Sequence, residues 1–85
     1  MASYRVLLKK SAAKELAAIE LRDRARIIER INSLAENPRQ PGAEKLSGQD
    51  KYRFRQGDYR ILYEIHDREV VVIVVKIGNR REVYR

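Results

Sequence analysis

The segment from Lys51 to Tyr63 places the strongest constraint on the fold, because its side chains alternate in character at every step. Tyr52 and Phe54 are aromatic, whereas the interleaved Arg53 and Arg55 are cationic. Successive side chains on a β-strand point to opposite faces of the sheet. The alternation therefore predicts a strand with one apolar face, directed towards a core, and one basic face.

A turn and a second strand follow this run. Gln56-Gly57-Asp58 has the composition of a turn, and another strand begins at Tyr59, so the segment predicts an antiparallel β-hairpin. Arg60 comes just after the turn, where we expect it to face Arg53 and Arg55. Like charges held opposite each other on a sheet are destabilising, which favours an anionic partner for this cluster. A solvated strand face that happens to be basic accounts for the same pattern.

The overall charge also points to an anionic partner. The 85 residues include 19 Lys and Arg against 12 Asp and Glu, which gives a net charge of +7 and an isoelectric point of about 10.1. Such a balance favours nucleic acid, an acidic protein or an anionic membrane surface. The chain has no Cys and one His, His66, so disulfides are excluded and no metal or cofactor is expected. We interpret His66 as a solvated turn residue.

Two helices are predicted in the first half of the chain. A strand is expected over 4–9, a helix over 12–20 with Ser11 as its N-cap, and a longer helix from a break near 20–23 to about residue 36. The apolar positions of the longer helix are spaced by three and four residues: Ala25, Ile28, Ile31, Leu34 and Ala35, widened by Ile27. Asn37-Pro38 ends this helix, because the residue before proline is disfavoured in the α region.

The second half predicts strands joined by tight turns. After a loop over 39–48 and the Arg-rich hairpin, the segment Glu69–Ile77, with the unbroken apolar run Val70–Val75, predicts a central strand that is covered on both faces. Gly78-Asn79 predicts a turn, and the closing segment has room for a short strand at 82–84. No apolar run approaches the ~20 residues of a membrane span, and no signal-peptide pattern is present, so we expect a cytoplasmic protein.

This order of elements predicts one α+β domain over residues 1–85. Two N-terminal helices pack on one face of a small, mainly antiparallel sheet with the order β-α-α-β-β-β. The other face then carries the arginine cluster. No Gly-rich phosphate loop or Ser/His/Asp arrangement is present, which argues against a nucleotide-dependent enzyme or a hydrolase with a catalytic triad. Tyr84 follows Arg80-Arg81, where packing on the sheet, stacking on a base and proton transfer all remain open.

Several motifs resemble the RelE branch of the RelE/ParE superfamily of type II toxin–antitoxin toxins. They are Lys45-Leu46-Ser47-Gly48, Tyr52-Arg53-Phe54-Arg55, Gly57-Asp58-Tyr59-Arg60-Ile61-Leu62-Tyr63, the Val70–Val75 strand and Gly78-Asn79-Arg80-Arg81-Glu82-Val83-Tyr84-Arg85. The match spans nearly the whole chain. The hairpin is typical of the superfamily, and the ending with Arg80 and Tyr84 favours the RelE branch.

The resemblance implies an endoribonuclease that cleaves mRNA in the ribosomal A site without a metal. In this family the 2′-hydroxyl of the RNA attacks the adjacent phosphate and leaves a 2′,3′-cyclic phosphate. The catalytic positions implied by the resemblance are Arg53, Arg55, Arg60, Arg80 and Tyr84. The positions expected to bind RNA or the ribosome are Lys45, Lys51, Arg81 and Arg85. Fixed guanidiniums suit this reaction, because negative charge gathers on the phosphoryl oxygens in the transition state.

Two departures from the family leave the general base open. Some relatives carry Lys at the positions of Arg53 and Arg55, and arginine effectively cannot give up a proton. Asn79 stands where relatives often carry a basic residue or histidine. Lys51 and Tyr84 are the remaining candidates for the base.

The resemblance also implies a partner and two alternatives. Relatives are neutralised by an antitoxin with an acidic, disordered segment, which we expect to cover the arginine cluster. Because the chain stops at Arg85, we expect no C-terminal helix for an antitoxin to displace. The first alternative is a ParE-like toxin that inhibits DNA gyrase and is not a nuclease. The second is an inactive basic binding module.

Overall fold

Two helices cover one face of a five-stranded sheet in the computed structural model, which describes residues 3–46 and 50–79. In chain order the elements are β1 Arg5–Leu8, α1 Lys10–Ala17, α2 Leu21–Ser33, β2 Glu44–Lys45, β3 Lys51–Gln56, β4 Tyr59–His66 and β5 Val71–Asn79. The strands lie in the order β1-β5-β4-β3-β2, and every neighbouring pair is antiparallel except β1 with β5. The predicted α+β fold with a mainly antiparallel sheet is confirmed, but the short strand β2 lies within the segment predicted as a loop.

The predicted hairpin is formed by β3 and β4, and its loop is two residues long. Gln56 pairs with Tyr59, so only Gly57 and Asp58 connect the strands. Gly57 has a φ of +60°. A positive φ at the first loop position is the requirement of a type II′ turn, which glycine meets without steric cost. This turn fixes the register, and the register fixes the face on which each arginine lies.

The core lies between the helices and one face of the sheet. Ile27 and Ile31 of α2, and Leu34 just after it, are buried in one cluster with Phe54 and Tyr63 of the hairpin. The expectation that Ala25 and Ile28 belong to this stripe is wrong, since Ala25 is exposed and Ile28 is 40% exposed. Apolar stripes through residues 27, 31 and 34 or through residues 28, 31 and 35 both have helical spacing. In the structure the buried stripe is the one that contains Ile27, which is fully buried.

The helix ends differ from the sequence prediction by a few residues. Lys9, not Ser11, is the N-cap of α1, and the first helical bond joins Ala13 N–H to the Lys9 carbonyl at 2.9 Å. The break between the helices falls at residues 18–20. The helix α2 ends at Ser33, because the next amides donate hydrogen bonds to carbonyls three residues earlier, as in a 3₁₀-helix, and not four. In the described part of the chain, neither helix has the length and apolar character of a membrane span.

The strand β5 is central, as predicted, but only its helix-facing side is fully covered. Val72, Val74 and Ile77 are buried there, whereas the alternate residues Val71 and Ile73 are only half-buried on the face without helices. The strand begins two residues later than predicted, after a turn in which Val70 has a φ of +55°. It also continues through Gly78 and Asn79, so the predicted turn there is wrong. The strand expected at 82–84 lies outside the described residues.

Polar contacts tie the loops to this core. Arg39 donates to both carboxylate oxygens of Asp67, at 3.1 and 2.8 Å, and to the Tyr52 hydroxyl at 3.1 Å. The hydrogen bonds from Arg39 and then from Tyr4 lower the pKa of Asp67 to about 2. These contacts join the β4–β5 turn to the loop after α2 and to the residue before β1.

A buried tyrosine joins the same loop to the centre of the sheet. The Tyr63 hydroxyl donates to the Pro38 carbonyl at 2.7 Å. Its ring stacks on Tyr52 with a centroid separation of 5.8 Å. Burial raises the pKa of Tyr63 to about 12.

Beyond the end of β1, a helix side chain covers the edge of β5. The two carboxylate oxygens of Glu15 accept hydrogen bonds from Ile77 N–H at 3.0 Å and from Lys76 Nζ at 2.8 Å. An unpaired strand edge invites pairing with other chains, and this carboxylate occupies one of its amides.

Candidate functional site

The hairpin places the predicted arginines together on the face of the sheet that carries no helix. Arg55 pairs directly with Arg60 across the two strands, and Arg53 lies two residues from Arg55 on β3. Cross-strand partners share a face, as do alternate residues of one strand. Phe54, between the two β3 arginines, is buried in the core on the opposite side. We call Arg53, Arg55 and Arg60 the arginine patch.

The three guanidiniums of the arginine patch differ in their access to solvent. Arg55 is exposed, and the side chain of Arg53 is 25% exposed and 3.4 Å from the carboxylate of Glu44 on β2. Arg60 is 1% exposed. Its β5 neighbour is Gly78, which adds no side chain to this face. Arg55 is therefore the member of the patch that an incoming anion reaches first.

The lysines expected to bind RNA separate onto different faces. Lys51 pairs with Glu64 and extends the face of the arginine patch along β3. Lys45 pairs instead with Tyr52, and so shares the face on which Tyr52 packs into the core. Of the two, only Lys51 continues the basic surface.

The remaining predicted site residues lie outside the described residues. These are Arg80, Arg81, Tyr84 and Arg85. Gly78, two positions before Arg80, pairs with Arg60, and β5 is described as far as Asn79. Their contribution to the site stays a prediction.

A second group of polar side chains lies farther along the same face, and sequence reasoning missed it. His66 is the last residue of β4 and not a turn residue, and its Nε2 lies 2.9 Å from Glu64 Oε1. Together with Asp50 and Lys51 these two residues line an open pocket of about 310 Å³. The only signal in the sequence is that Glu64 and His66 are two residues apart, as strand residues on one face must be.

The chemistry available on this face is that of anion binding and charge stabilisation. Guanidinium groups bind phosphate through two parallel hydrogen bonds and hold their charge at all physiological pH values. Among residues 3–46 and 50–79, no group of three or more His, Asp or Glu side chains has the arrangement of a metal site. The described face therefore offers fixed positive charge beside a pocket of mixed donors and acceptors.

Comparison with known proteins identifies toxins as relatives of this chain. A sequence model of the family described as ParE toxin of type II toxin-antitoxin system, parDE, matches residues 6–84. Toxin RelG of Mycobacterium tuberculosis is 28% identical over 96% of this chain and 97% of its own length.

Solved structures share the whole fold. The archaeal RelE–RelB complex from Pyrococcus horikoshii contains a chain that is 31% identical with a TM-score of 0.81, over 92% of this chain and 96% of that one. The isolated E. coli RelE toxin is 27% identical with a TM-score of 0.82, over 96% of this chain and 92% of that one. The family match spans nearly all of the sequence, and the resemblance found in its motifs is confirmed. The chain therefore belongs to the RelE/ParE superfamily of type II toxin–antitoxin toxins.

Proposed function

We propose that this toxin is a ribosome-dependent endoribonuclease that cleaves mRNA in the A site. The observation that carries the proposal is the arginine patch, in which Arg55 faces Arg60 with Arg53 beside them. Like charges directly opposite each other destabilise a sheet, and a bound phosphodiester anion would offset this repulsion. The RelE toxins among its relatives support this assignment.

In the proposed reaction the RNA supplies its own nucleophile. The 2′-hydroxyl gives its proton to a base and attacks the adjacent phosphorus, and the bond to the 5′-oxygen of the next nucleotide breaks. That oxygen takes up a proton, and a 2′,3′-cyclic phosphate remains. In this proposal the exposed Arg55 binds the non-bridging oxygens, next to Arg53, whose guanidinium lies 3.4 Å from the Glu44 carboxylate. The buried Arg60 supplies fixed positive charge from within the sheet, which acts over a short distance in a low-dielectric setting.

Proton transfer requires a residue other than these arginines, since a guanidinium stays protonated. Lys51 lies on the same face, two residues from Arg53, and is one candidate for the base. Tyr84 is the other.

Inhibition of DNA gyrase is a second candidate function. The specific observation in its favour is that the matching family model describes ParE toxins. In this case the basic face binds a protein or DNA surface and performs no cleavage. The two functions differ in whether mRNA is cut.

We also propose a cognate antitoxin as partner. The P. horikoshii relative was solved as a complex with RelB. A chain with a net charge of +7 and an exposed arginine suits an acidic segment, and electrostatic attraction would accelerate its association. Added salt should slow association with the product of the neighbouring gene. An association rate that is independent of salt would contradict the electrostatic part of this proposal.

Primer extension on mRNA from cells that express the protein tests the nuclease directly. The wild-type chain should produce cuts in codon register, and Arg55→Gln should reduce them about 10²-fold, as loss of one transition-state donor does in other enzymes. Arg22→Gln is the matched control, because Arg22 is an exposed arginine on α2 in the opposite layer. It should leave the cuts unchanged.

The same experiment separates the two candidate functions. Intact mRNA together with DNA damage would refute the nuclease and support gyrase inhibition. Arg60→Ala is a poorer probe than Arg55→Gln, because removal of a buried side chain perturbs the fold as well as the chemistry.

A further inference from the structure

The pocket beside the arginine patch is lined by Asp50, Lys51, Glu64 and His66. Three of its residues come from adjacent strands, and the backbone carbonyl of Asp50 is held against β4 by a bond from Ile65 N–H at 3.1 Å. The pocket therefore lies on hydrogen-bonded strands of the sheet.

Most of the polar atoms in this pocket are available to a ligand. Glu64 uses Oε1 to hold His66 Nε2 at 2.9 Å. Within residues 3–46 and 50–79, Glu64 Oε2, His66 Nδ1, Lys51 Nζ and the Asp50 carboxylate make no hydrogen bond or ion pair. Lys51 and Glu64 face each other across the strands and still do not form a salt bridge. Donors and acceptors that have no partner among the described residues, carried by paired strands, are suited to binding a polar ligand.

The mixture of charges indicates which ligand fits. The Glu64 carboxylate and the acidic residue Asp50 beside it disfavour a phosphate or an acidic peptide, because like charges repel. A nucleobase edge instead offers N–H donors for the carboxylates and carbonyl or ring-nitrogen acceptors for Lys51. The imidazole of His66 is one of the rings on which bases stack in single-stranded RNA recognition. The volume of about 310 Å³ accommodates one base.

The distance between the pocket and the arginine patch fits an RNA strand that crosses both. The Lys51–Glu64 pair is two residues from Arg53 along β3 and four from Arg55. With a rise of about 3.3 Å per residue, these steps are roughly 7 and 13 Å, comparable with one and two nucleotides of an extended strand. A phosphate on Arg55 would place a neighbouring base at the pocket.

We propose that this pocket binds one base of the mRNA and favours bases that carry an exocyclic amino group over uracil. Cytosine, adenine and guanine each present an amino donor to Glu64 Oε2 or Asp50, and uracil presents none. The inference rests on the nuclease function proposed above. It makes Glu64 a specificity residue and His66 the residue that positions it.

The test uses a set of reporter mRNAs that differ in a single base of one codon, each translated in a cell-free reaction with the purified toxin. Primer extension gives the cutting at that codon for all four bases in each codon position. At one position the wild-type protein should cut the amino-bearing bases about five- to tenfold more than uracil, the range expected for one good base contact. Glu64→Gln should bring this ratio close to one and retain most of the summed cutting, since the amide both donates and accepts.

A second variant and a control separate recognition from folding. His66→Phe keeps a stacking ring but frees Glu64, so the ratio should fall part of the way. Glu36→Gln removes an exposed carboxylate in the turn after α2 and should leave the ratio at the wild-type value. Thermal unfolding of each variant monitors the fold.

An unchanged base ratio in Glu64→Gln would overturn the inference while leaving the nuclease intact. The inference also fails if Glu64→Gln keeps the ratio but loses binding to the antitoxin, because the pocket would then face a protein. If the wild-type chain leaves every reporter uncut, the nuclease proposal fails first and the inference falls with it.

Discussion

Replacing Arg55 by Gln should make the fold more stable while it removes the proposed activity. Arg55 and Arg60 are direct cross-strand partners, and Arg60 is buried, so its charge is poorly screened by solvent. Glutamine is shorter than arginine but keeps a polar, hydrogen-bonding end group, and it removes the charge. The predicted gain in stability is the repulsion between these two cations.

The size of the gain follows from the register. Like charges directly opposite each other in a sheet cost about 0.2–1 kcal/mol, and the exposure of Arg55 favours the lower half of that range. Lys51→Gln is the control on the same strand and the same face. Lys51 faces Glu64, so its replacement removes an attraction and should lower stability by a similar, small amount.

Urea unfolding at low and high salt measures both effects. The gain from Arg55→Gln should shrink as salt rises, because the screening length falls from about 10 Å at 0.1 M to about 3 Å at 1 M. The reasoning would be refuted if Arg55→Gln were less stable than the wild type at low salt. It would also be refuted if Lys51→Gln stabilised the fold as much as Arg55→Gln does. The second result would mean that only the net charge of +7 matters and that the pairing of the arginines does not.

Three further substitutions test the contacts that hold the loops. Tyr63→Phe should lower the free energy of unfolding by about 1–2 kcal/mol, because the buried Pro38 carbonyl loses its donor. Since burial raises the pKa of Tyr63 to about 12, the wild type should also lose stability between pH 10 and about 12 in a denaturation series. This loss should be smaller in the variant, in which Tyr4, whose pKa is also raised, still titrates. Val70→Gly should raise the unfolding free energy by about 1 kcal/mol in urea, because a β-branched residue at a φ of +55° is strained, and a decrease would show that the Val70 contacts matter more. Asp67→Asn should lower the melting temperature at neutral pH, and the gap to the wild type should close as the pH falls from about 4 to about 2, where Asp67 loses the charge that binds Arg39. A gap at pH 2 as large as the gap at neutral pH would contradict the assigned role of that charge.

The hairpin and its basic face were predictable because strand geometry leaves little freedom. The alternation through Arg53 and Arg55 has a period of two, and a two-residue loop at Gly57 sets the partner of Arg60 without reference to the rest of the chain. The local sequence therefore contained all the information needed to place these side chains on one face.

Other features depend on packing that local sequence does not encode. The helical spacing of α2 fits a stripe through Ile28 as well as one through Ile27, and only contact with the sheet selects Ile27. The burial of Arg60 depends on neighbours outside the hairpin, including Gly78 on β5. His66 precedes the turn residue Asp67, so turn composition concealed its place at the end of a strand.

The order of strands in the sheet has a consequence for how the chain folds. β5 occupies the position between β1 and β4, and its partner residues Arg5 and Val71 are 66 positions apart in the sequence. Until Val71–Asn79 has been synthesised, β1 has no neighbour in the sheet, and the hairpin of β3 and β4 is the part whose contacts are local. Closing such a long loop to form a parallel pair is slow compared with hairpin formation. A ribosome making this protein therefore has already synthesised both helices and strands β1 to β4 before the toxin acquires its native sheet.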